Sequence, residues 1–175
     1  MPYGLRMTEI RESILNVRSA LAAKADAGPA PDRPAAAVME DGLRCHVEGG
    51  DGWALVTDMP APVGGGGSAP TPGWLIRAAL ASCAATTIAM RAAELEIELS
   101  GLEVTAESET DMRGLLAVGN GAQPGPASVR LRVELGAKGA DPEQFEELVS
   151  WADTHSPVGD CVRRAVPFEL EITTG

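Results

Sequence analysis

The sequence predicts an α+β fold in which an antiparallel sheet packs on a long, buried central helix. Two observations carry this prediction. Some segments repeat apolar residues at helical spacing, whereas others alternate apolar and polar residues as half-exposed strands do. These segments follow the order helix, three strands, long helix, two strands, two helices and strand, which leaves little room for parallel strand–helix–strand units.

The first helix is predicted over residues 7–24, with Thr8 as a possible N-cap. Apolar residues recur there at spacings of four, three and four, namely Ile10, Ile14, Val17 and Leu21. A segment rich in proline and alanine follows. We therefore predict an N-terminal amphipathic helix with its linker over residues 1–34 and a main domain over residues 35–175.

Three short strands are expected at 36–39, 43–47 and 53–57, and a glycine-rich turn at 48–52 joins the last two. The loop that follows, 59–74, is dense in proline and contains four consecutive glycines. No Gly-Lys-Ser or Gly-Lys-Thr follows them, so the pattern does not favour a phosphate-binding loop. Close approach of the loop to a neighbouring backbone explains the glycines better.

The central helix is predicted from about Pro72 to Glu96, with Cys83 near its middle. It is apolar nearly all round, so most of its faces should be buried. One sheet does not cover such a helix, and a dimer that packs two of these helices together would supply the cover. Arg77 and Arg91 interrupt the apolar run and argue against a membrane span.

The second half of the chain adds strands at 101–111 and 128–135, where apolar and polar residues alternate. A helix follows with Asp141 as its N-cap, and a shorter helix begins after a cap at Ser156. Alternation resumes in residues 166–174, which predicts a closing strand.

Composition and charge restrict the function. Apolar residues make up 45% of the 175 residues, as in globular proteins, and the net charge of −11 disfavours binding to nucleic acid or to an anionic membrane. Cys45, Cys83 and Cys161 are widely spaced and form no Cys-x-x-Cys pair, which disfavours a zinc ribbon and a disulfide framework. His46 and His155 lie far apart without an acidic ligand motif, so we expect no metal site. The N-terminal residues lack the apolar run of a signal peptide, so we expect a cytoplasmic protein with reduced thiols.

Two stretches resemble the OsmC/Ohr family, the osmotically induced and organic hydroperoxide resistance proteins. They are "DMPAPVGGGGSAPTPGWLIRAALASC", continuing to "TDMRG", and "LVSWADTHSPVGDCVRRAVPFELEI". The resemblance runs from about Leu43 to the C-terminus and leaves out the N-terminal helix. It implies an OsmC-like intertwined homodimer, with two central helices back to back and a sheet on either side, and thiol peroxidase chemistry without a cofactor.

In that chemistry the first family cysteine attacks the O–O bond of an organic hydroperoxide and becomes a sulfenic acid. The second cysteine condenses with it, and an external dithiol reduces the resulting disulfide. Cys83 matches the first position, whereas Ser156 stands in place of the second cysteine, in the family's "CPV" turn. This chain is therefore a divergent member. Cys161 follows Ser156 by about 500° of helical rotation, so it would resolve Cys83 only if the turn rearranged.

Activation of Cys83 requires a cation from another segment, because the N-terminal dipole of its helix fades within the first turn. In the hydroperoxide-reducing branch of the family, a glutamate after the proline that opens this helix positions a catalytic arginine. Gly73 and Trp74 stand there in this chain. The candidate arginines are Arg44, which is the best of them, Arg113, Arg11 and Arg18.

Two functions remain open from the sequence. The first is a thiol peroxidase for oxidative stress defence, in which Cys83 reduces organic hydroperoxides and an external thiol resolves the sulfenate. The second is a dimer of the same fold that has lost turnover and binds a small apolar ligand, with Cys83 as a packing residue.

Overall fold

A computed structural model describes residues 3–24, 26, 28–137 and 141–174, with the backbone alone for residues 3–6. The statements below concern these residues.

The chain folds into two compact units. The larger unit takes in residues 1–18 and 79–175, as far as they are described, and the smaller one comprises Ser19–Ala78. This division reflects contacts within the folded chain. The predicted boundary after residue 34 is of another type, because it separates an N-terminal helix and linker from the main domain, and it stays a prediction.

The described α-helices lie close to the segments with helical spacing, apart from a four-residue helix at 112–115 that the sequence did not predict. They are α1 (Tyr3–Ala22), α2 (Pro72–Glu94), α3 (Met112–Leu115), α4 (Pro142–Thr154) and α5 (Pro157–Arg163). The prediction that Thr8 caps the first helix is wrong, because residues 3–7 contain no proline and extend α1 towards the N-terminus. The caps of the last two helices are confirmed: Asp141 forms a capping box on α4, and the Ser156 side chain accepts a hydrogen bond at the start of α5.

The strands are all paired antiparallel, which confirms the α+β class. In the smaller unit they form a meander in the order β1 (Ala35–Asp41), β2 (Arg44–Gly49) and β3 (Ala54–Thr57). In the larger unit β4 (Leu99–Thr110) pairs with β5 (Pro126–Ala137) as a two-stranded ribbon.

The predicted closing strand over residues 166–174 is wrong for the single chain, since this segment has no regular secondary structure. Its alternating apolar residues are exposed, with Phe168 at 87%, Leu170 at 75% and Ile172 at 79%. An alternating segment becomes a strand only where a sheet edge supplies hydrogen-bond partners. No described strand pairs with it here.

The core of the larger unit joins α2, β4 and α4. Its fully packed residues are Ile88 and Ala92 of α2, Leu99 of β4, and Leu148 and Ala152 of α4. This cluster fixes the middle and the end of α2 against α4, and thereby places Cys83 relative to the segment that follows α4.

The sequence predicts that most faces of α2 are buried. In the single chain, α2 is buried along one stripe only. The stripe repeats every four residues, at Leu80, Ala84, Ile88 and Ala92, whereas Ile76 and Met90 lie 48% and 42% exposed. These two side chains on the outer faces are therefore covered only in part in the single chain. By length and composition α2 could cross a membrane, a property it shares with core helices of water-soluble proteins.

Candidate functional site

The structure brings together Cys83 and Ser156, two residues of the larger unit that are 73 positions apart in sequence. The Ser156 hydroxyl donates a hydrogen bond to the Cys83 sulfur over 3.2 Å. Ser156 is 3% exposed, and its oxygen also accepts a hydrogen bond from the Gly159 backbone N–H at 3.1 Å. The residue at the family's second cysteine position therefore faces the first cysteine, as a hydroxyl.

The local sequence explains why Ser156 points inward. Helix α4 ends at Thr154, and Pro157 opens α5, where its missing N–H leaves no helical hydrogen bond unmade. Ser156 lies between them with an extended backbone and caps α5. We call residues 154–157, which reverse the chain between the two helices, the α4–α5 corner.

The environment of Cys83 lowers the pKa of its thiol. Burial raises the pKa of the Cys83 thiol, but hydrogen bonds from the Ser156 hydroxyl, the Val158 backbone N–H and the Thr87 hydroxyl lower it, and the net pKa is below the ordinary value. The single Thr87 proton is shared, because this hydroxyl also donates to the Cys83 carbonyl oxygen at 2.8 Å. These donors are neutral, so hydrogen bonding alone already shifts this half-buried thiol towards its nucleophilic form.

The other two cysteines belong to other elements. Cys161 is on α5 and exposed, whereas Cys45 is on β2, with its thiol 3.0 Å from the Met39 sulfur. All three cysteines are free thiols. The predicted role of Cys161 in resolving Cys83 stays a prediction.

Arg44, the predicted activating cation, belongs to the smaller unit. Its Nε donates to a Glu40 carboxylate oxygen at 2.9 Å, and its Nη1 donates to the Ser68 hydroxyl at 2.6 Å. Glu40 thus gives Arg44 a carboxylate partner, although the glutamate expected at the start of α2 is absent. The assignment of Arg44 to the activation of Cys83 stays a prediction.

The glycine-rich loop folds around Asp58, which is 2% exposed. Hydrogen bonds from the Ser68 backbone and hydroxyl, and then from the backbone N–H groups of Met59 and Gly66, lower the pKa of the Asp58 carboxyl. A Cβ on Gly65 would lie 1.8 Å from the Met59 carbonyl oxygen. Gly65 therefore permits a close backbone approach within the loop itself, whereas the predicted approach to a neighbouring segment stays a prediction.

The α4–α5 corner is held by side chains to which the sequence assigned no role at this site. Trp151 stacks on His155 with ring centroids 4.0 Å apart, and the Arg91 guanidinium lies 4.6 Å from the Trp151 ring centroid. Arg163 binds Asp153 through its carboxylate at 2.5 Å and its carbonyl oxygen at 3.3 Å. The spacing of four between Trp151 and His155 was the one available sequence signal.

A cavity of about 800 Å³ opens beside the site in the larger unit. Leu80 and Ala84, which flank Cys83 along α2, line it together with apolar residues of β5 and α4. Glu146 and the Asp153–Arg163 pair add polar groups to its lining. Among the described residues no three His, Cys, Asp or Glu side chains gather as metal ligands would.

Comparison with known proteins identifies relatives. Residues 65–171 match the family described as OsmC-like protein. An organic hydroperoxide resistance protein OsmC of Legionella pneumophila is 27% identical, with a TM-score of 0.55 over 78% of this chain and 92% of that one. A Vibrio cholerae protein assigned to organic hydroperoxide resistance, solved with captopril in one of its active sites, is 26% identical, with a TM-score of 0.53 over 78% and 87%.

The fold extends to more distant structures. An OsmC-like protein of Mycoplasma pneumoniae is 13% identical and has a TM-score of 0.65 over 77% of this chain and 89% of that one. No curated protein sequence matches the chain significantly.

Proposed function

Because this chain belongs to the OsmC/Ohr family, we propose that it is a one-cysteine thiol peroxidase that reduces organic hydroperoxides, with Cys83 as the nucleophile. The observation that carries the proposal is the hydrogen bond from Ser156 to the Cys83 sulfur at 3.2 Å, in surroundings that lower the pKa of the thiol. A cysteine kept only for packing needs no such donors, since burial in apolar surroundings raises the pKa of a thiol.

The reaction proceeds in two stages. The Cys83 thiolate attacks one oxygen of the hydroperoxide, the O–O bond breaks, and the departing alkoxide takes up a proton to leave as an alcohol. The sulfur is thereby oxidised to a sulfenic acid. An external thiol then attacks that sulfur, forms a mixed disulfide and releases water. A second external thiol attacks the outer sulfur of the mixed disulfide, so that the two external thiols leave as a disulfide and Cys83 is released as its thiolate.

Ser156 has a defined part in this scheme. Its hydroxyl donates to the sulfur and stabilises the negative charge of the thiolate before the attack. It forms no disulfide, so reduction falls to a thiol from outside the chain. We further propose that the protein works as a homodimer, since the outer faces of α2 are apolar and partly exposed in the single chain.

The test is a brief pulse of cumene hydroperoxide on the reduced protein, with dimedone present, followed by intact-mass analysis and peptide mapping. The proposal expects one dimedone adduct on Cys83. The adduct should vanish in Cys83→Ser and persist in Cys45→Ser and Cys161→Ser, which are matched thiol controls.

Two outcomes contradict the proposal. An unmodified Cys83, at hydroperoxide levels that oxidise a two-cysteine relative, would refute peroxidase activity. A mass loss of two units mapped to a Cys83–Cys161 disulfide would refute the one-cysteine mechanism and assign resolution to Cys161.

The second candidate function is binding of a small apolar ligand. The largely apolar cavity of about 800 Å³ beside Cys83 favours it, because cavities of this size hold small organic molecules. A saturable signal from an apolar fluorescent probe, weakened by Val133→Asp in the cavity lining, would support this function if Cys83 proves inert.

A further inference from the structure

We propose that Trp151 and His155 are positioning residues for Cys83, because their stacked rings hold the α4–α5 corner so that the Ser156 hydroxyl stays on the sulfur. The catalytic meaning of this inference rests on the proposed peroxidase function, whereas its effect on the thiol does not. The rings belong to a series of contacts that begins on α2 at Arg91 and returns to α2 at Cys83.

The first set of contacts fixes the residue before Ser156. The backbone N–H of His155 donates to the Trp151 carbonyl oxygen at 3.1 Å, and His155 Nδ1 lies 2.7 Å from the same oxygen. Because a carbonyl oxygen only accepts, Nδ1 carries the proton in this contact. The two rings are nearly parallel, at 10°. His155 is therefore held through its backbone and its side chain, and Ser156 follows across one planar peptide.

The second set anchors the stack to the helix that carries Cys83. Arg91 lies on α2 about two turns after Cys83, and its guanidinium covers the Trp151 ring at 4.6 Å. Arg91 Nη1 donates to Glu94 at 3.2 Å, and Glu94, with its side chain 6% exposed, also binds Arg18 of α1 at 2.6 Å. The position of the Ser156 hydroxyl is thus linked, through the stack and Arg91, to the same helix that carries the Cys83 sulfur.

A third set of contacts restrains Ser156 from its C-terminal side. The Gly159 N–H donates to the Ser156 oxygen, and Arg163 ties α5 back to Asp153 near the end of α4. A Cβ on Gly159 would lie 3.1 Å from the Ser156 oxygen and 2.9 Å from Arg163 Nη1, so the packing around the hydroxyl is tight. Release of the Trp151–His155 stack removes the restraint on one side only. The corner then gains freedom while α5 remains tied to α4.

The experiment compares Trp151→Leu, which removes the stacking ring, with Trp151→Phe, which retains one. The readout is the pH profile of iodoacetamide alkylation of Cys83 in the full-length chain carrying Cys45→Ser and Cys161→Ser. From the typical strength of a hydrogen bond to a charged group, Trp151→Leu should slow alkylation at neutral pH about threefold to fivefold, no more than loss of the Ser156 hydroxyl itself, and move the profile to higher pH. Trp151→Phe should stay within about twofold of the parent.

A double-mutant comparison separates positioning from loss of stability. In a Ser156→Ala background, Trp151→Leu should cause no further slowing, because the stack acts through that hydroxyl. Equal slowing with and without the Ser156 hydroxyl would overturn the proposal, and so would a Phe variant that falls as far as the Leu variant.

Alkylation needs no hydroperoxide, which keeps the two proposals separable. A Cys83 that alkylates as described but never reduces a hydroperoxide would refute the peroxidase and leave the positioning inference standing. Normal peroxidase turnover, together with an alkylation profile of Trp151→Leu identical to that of the parent, would refute the positioning inference and leave the peroxidase proposal standing.

Discussion

Replacement of Ser156 by alanine tests the central contact of the site most directly. The change removes the hydroxyl that donates to Cys83 at 3.2 Å, and Ser156 is 3% exposed, so water does not readily take its place. The donor lowers the pKa of the Cys83 thiol, after the opposing effect of burial. Its loss must therefore raise that pKa and reduce the thiolate fraction at neutral pH.

The size of the effect follows from the strength of the bond. A hydrogen bond to a charged group contributes about 1.5–3 kcal/mol, and Cys83 is only half-buried, so solvent recovers part of this. A net loss of about 1 kcal/mol reduces the thiolate about fivefold at neutral pH. At pH values well above the thiol pKa, the variant and the parent should react at similar rates.

The assay is the second-order rate of Cys83 alkylation by iodoacetamide between pH 5 and pH 10, followed by peptide mass (about the range in which thiols titrate). Ser82→Ala is the matched control, because Ser82 adjoins Cys83 on α2 but donates to the Ala79 carbonyl oxygen at 3.2 Å. Equal rates for Ser156→Ala and the parent at neutral pH would refute the reasoning. A comparable slowing in Ser82→Ala would refute it too.

Three further predictions follow from other contacts. Ser156→Cys places a sulfur where the hydroxyl now lies 3.2 Å from the Cys83 sulfur, about 1 Å more than the length of a disulfide bond. Hydroperoxide should therefore form a disulfide between Cys83 and the introduced cysteine, seen as a mass loss of two units that dithiothreitol reverses. A sulfenate that persists on Cys83 in this variant would contradict the geometry. Hydrogen bonds from Ser68 lower the pKa of Asp58, so this carboxylate stabilises the fold above its unfolded pKa of about 3.9, and the stabilisation disappears as the pH falls through the folded pKa. Acid unfolding followed by circular dichroism should therefore be less steep in Asp58→Asn than in the parent. Gly65→Ala, whose Cβ would lie 1.8 Å from a backbone oxygen, should lower the free energy of unfolding in urea by at least about 2 kcal/mol, and an unchanged midpoint would contradict the tight loop.

Local patterns predicted most of the fold because their causes are local. The amphipathic helices, the meander and the caps at Asp141 and Ser156 depend on spacing and on residues within one turn. Apart from the Thr8 cap, the errors concern structure that needs a distant partner. Residues 166–174 alternate like a strand but find no edge in the described chain, and α2 is apolar on faces that this chain leaves partly exposed.

Less of the candidate site than of the fold could be predicted from the sequence. The approach of Ser156 to Cys83 followed from the family pattern, since neither residue alone indicates it. The stack of Trp151 on His155 needs only a spacing of four, yet the role of Arg91 depends on how α2 and α4 pack, which no spacing within either helix reveals. Donors to a thiol from a backbone N–H, as at Val158, leave no trace in the sequence at all.

The hydroxyl of Ser156 has a consequence for the timing of the proposed reaction. A second cysteine would store each oxidation event within the chain as a disulfide and so protect the sulfur from a second oxidation. With a hydroxyl in that place, the sulfenate lasts as long as the surrounding thiols take to reach it, and further hydroperoxide drives it irreversibly to a sulfinate. In this scheme the sulfenate fraction of Cys83 follows the ratio of hydroperoxide to thiol, whereas each sulfinate formed takes a chain out of the cycle permanently.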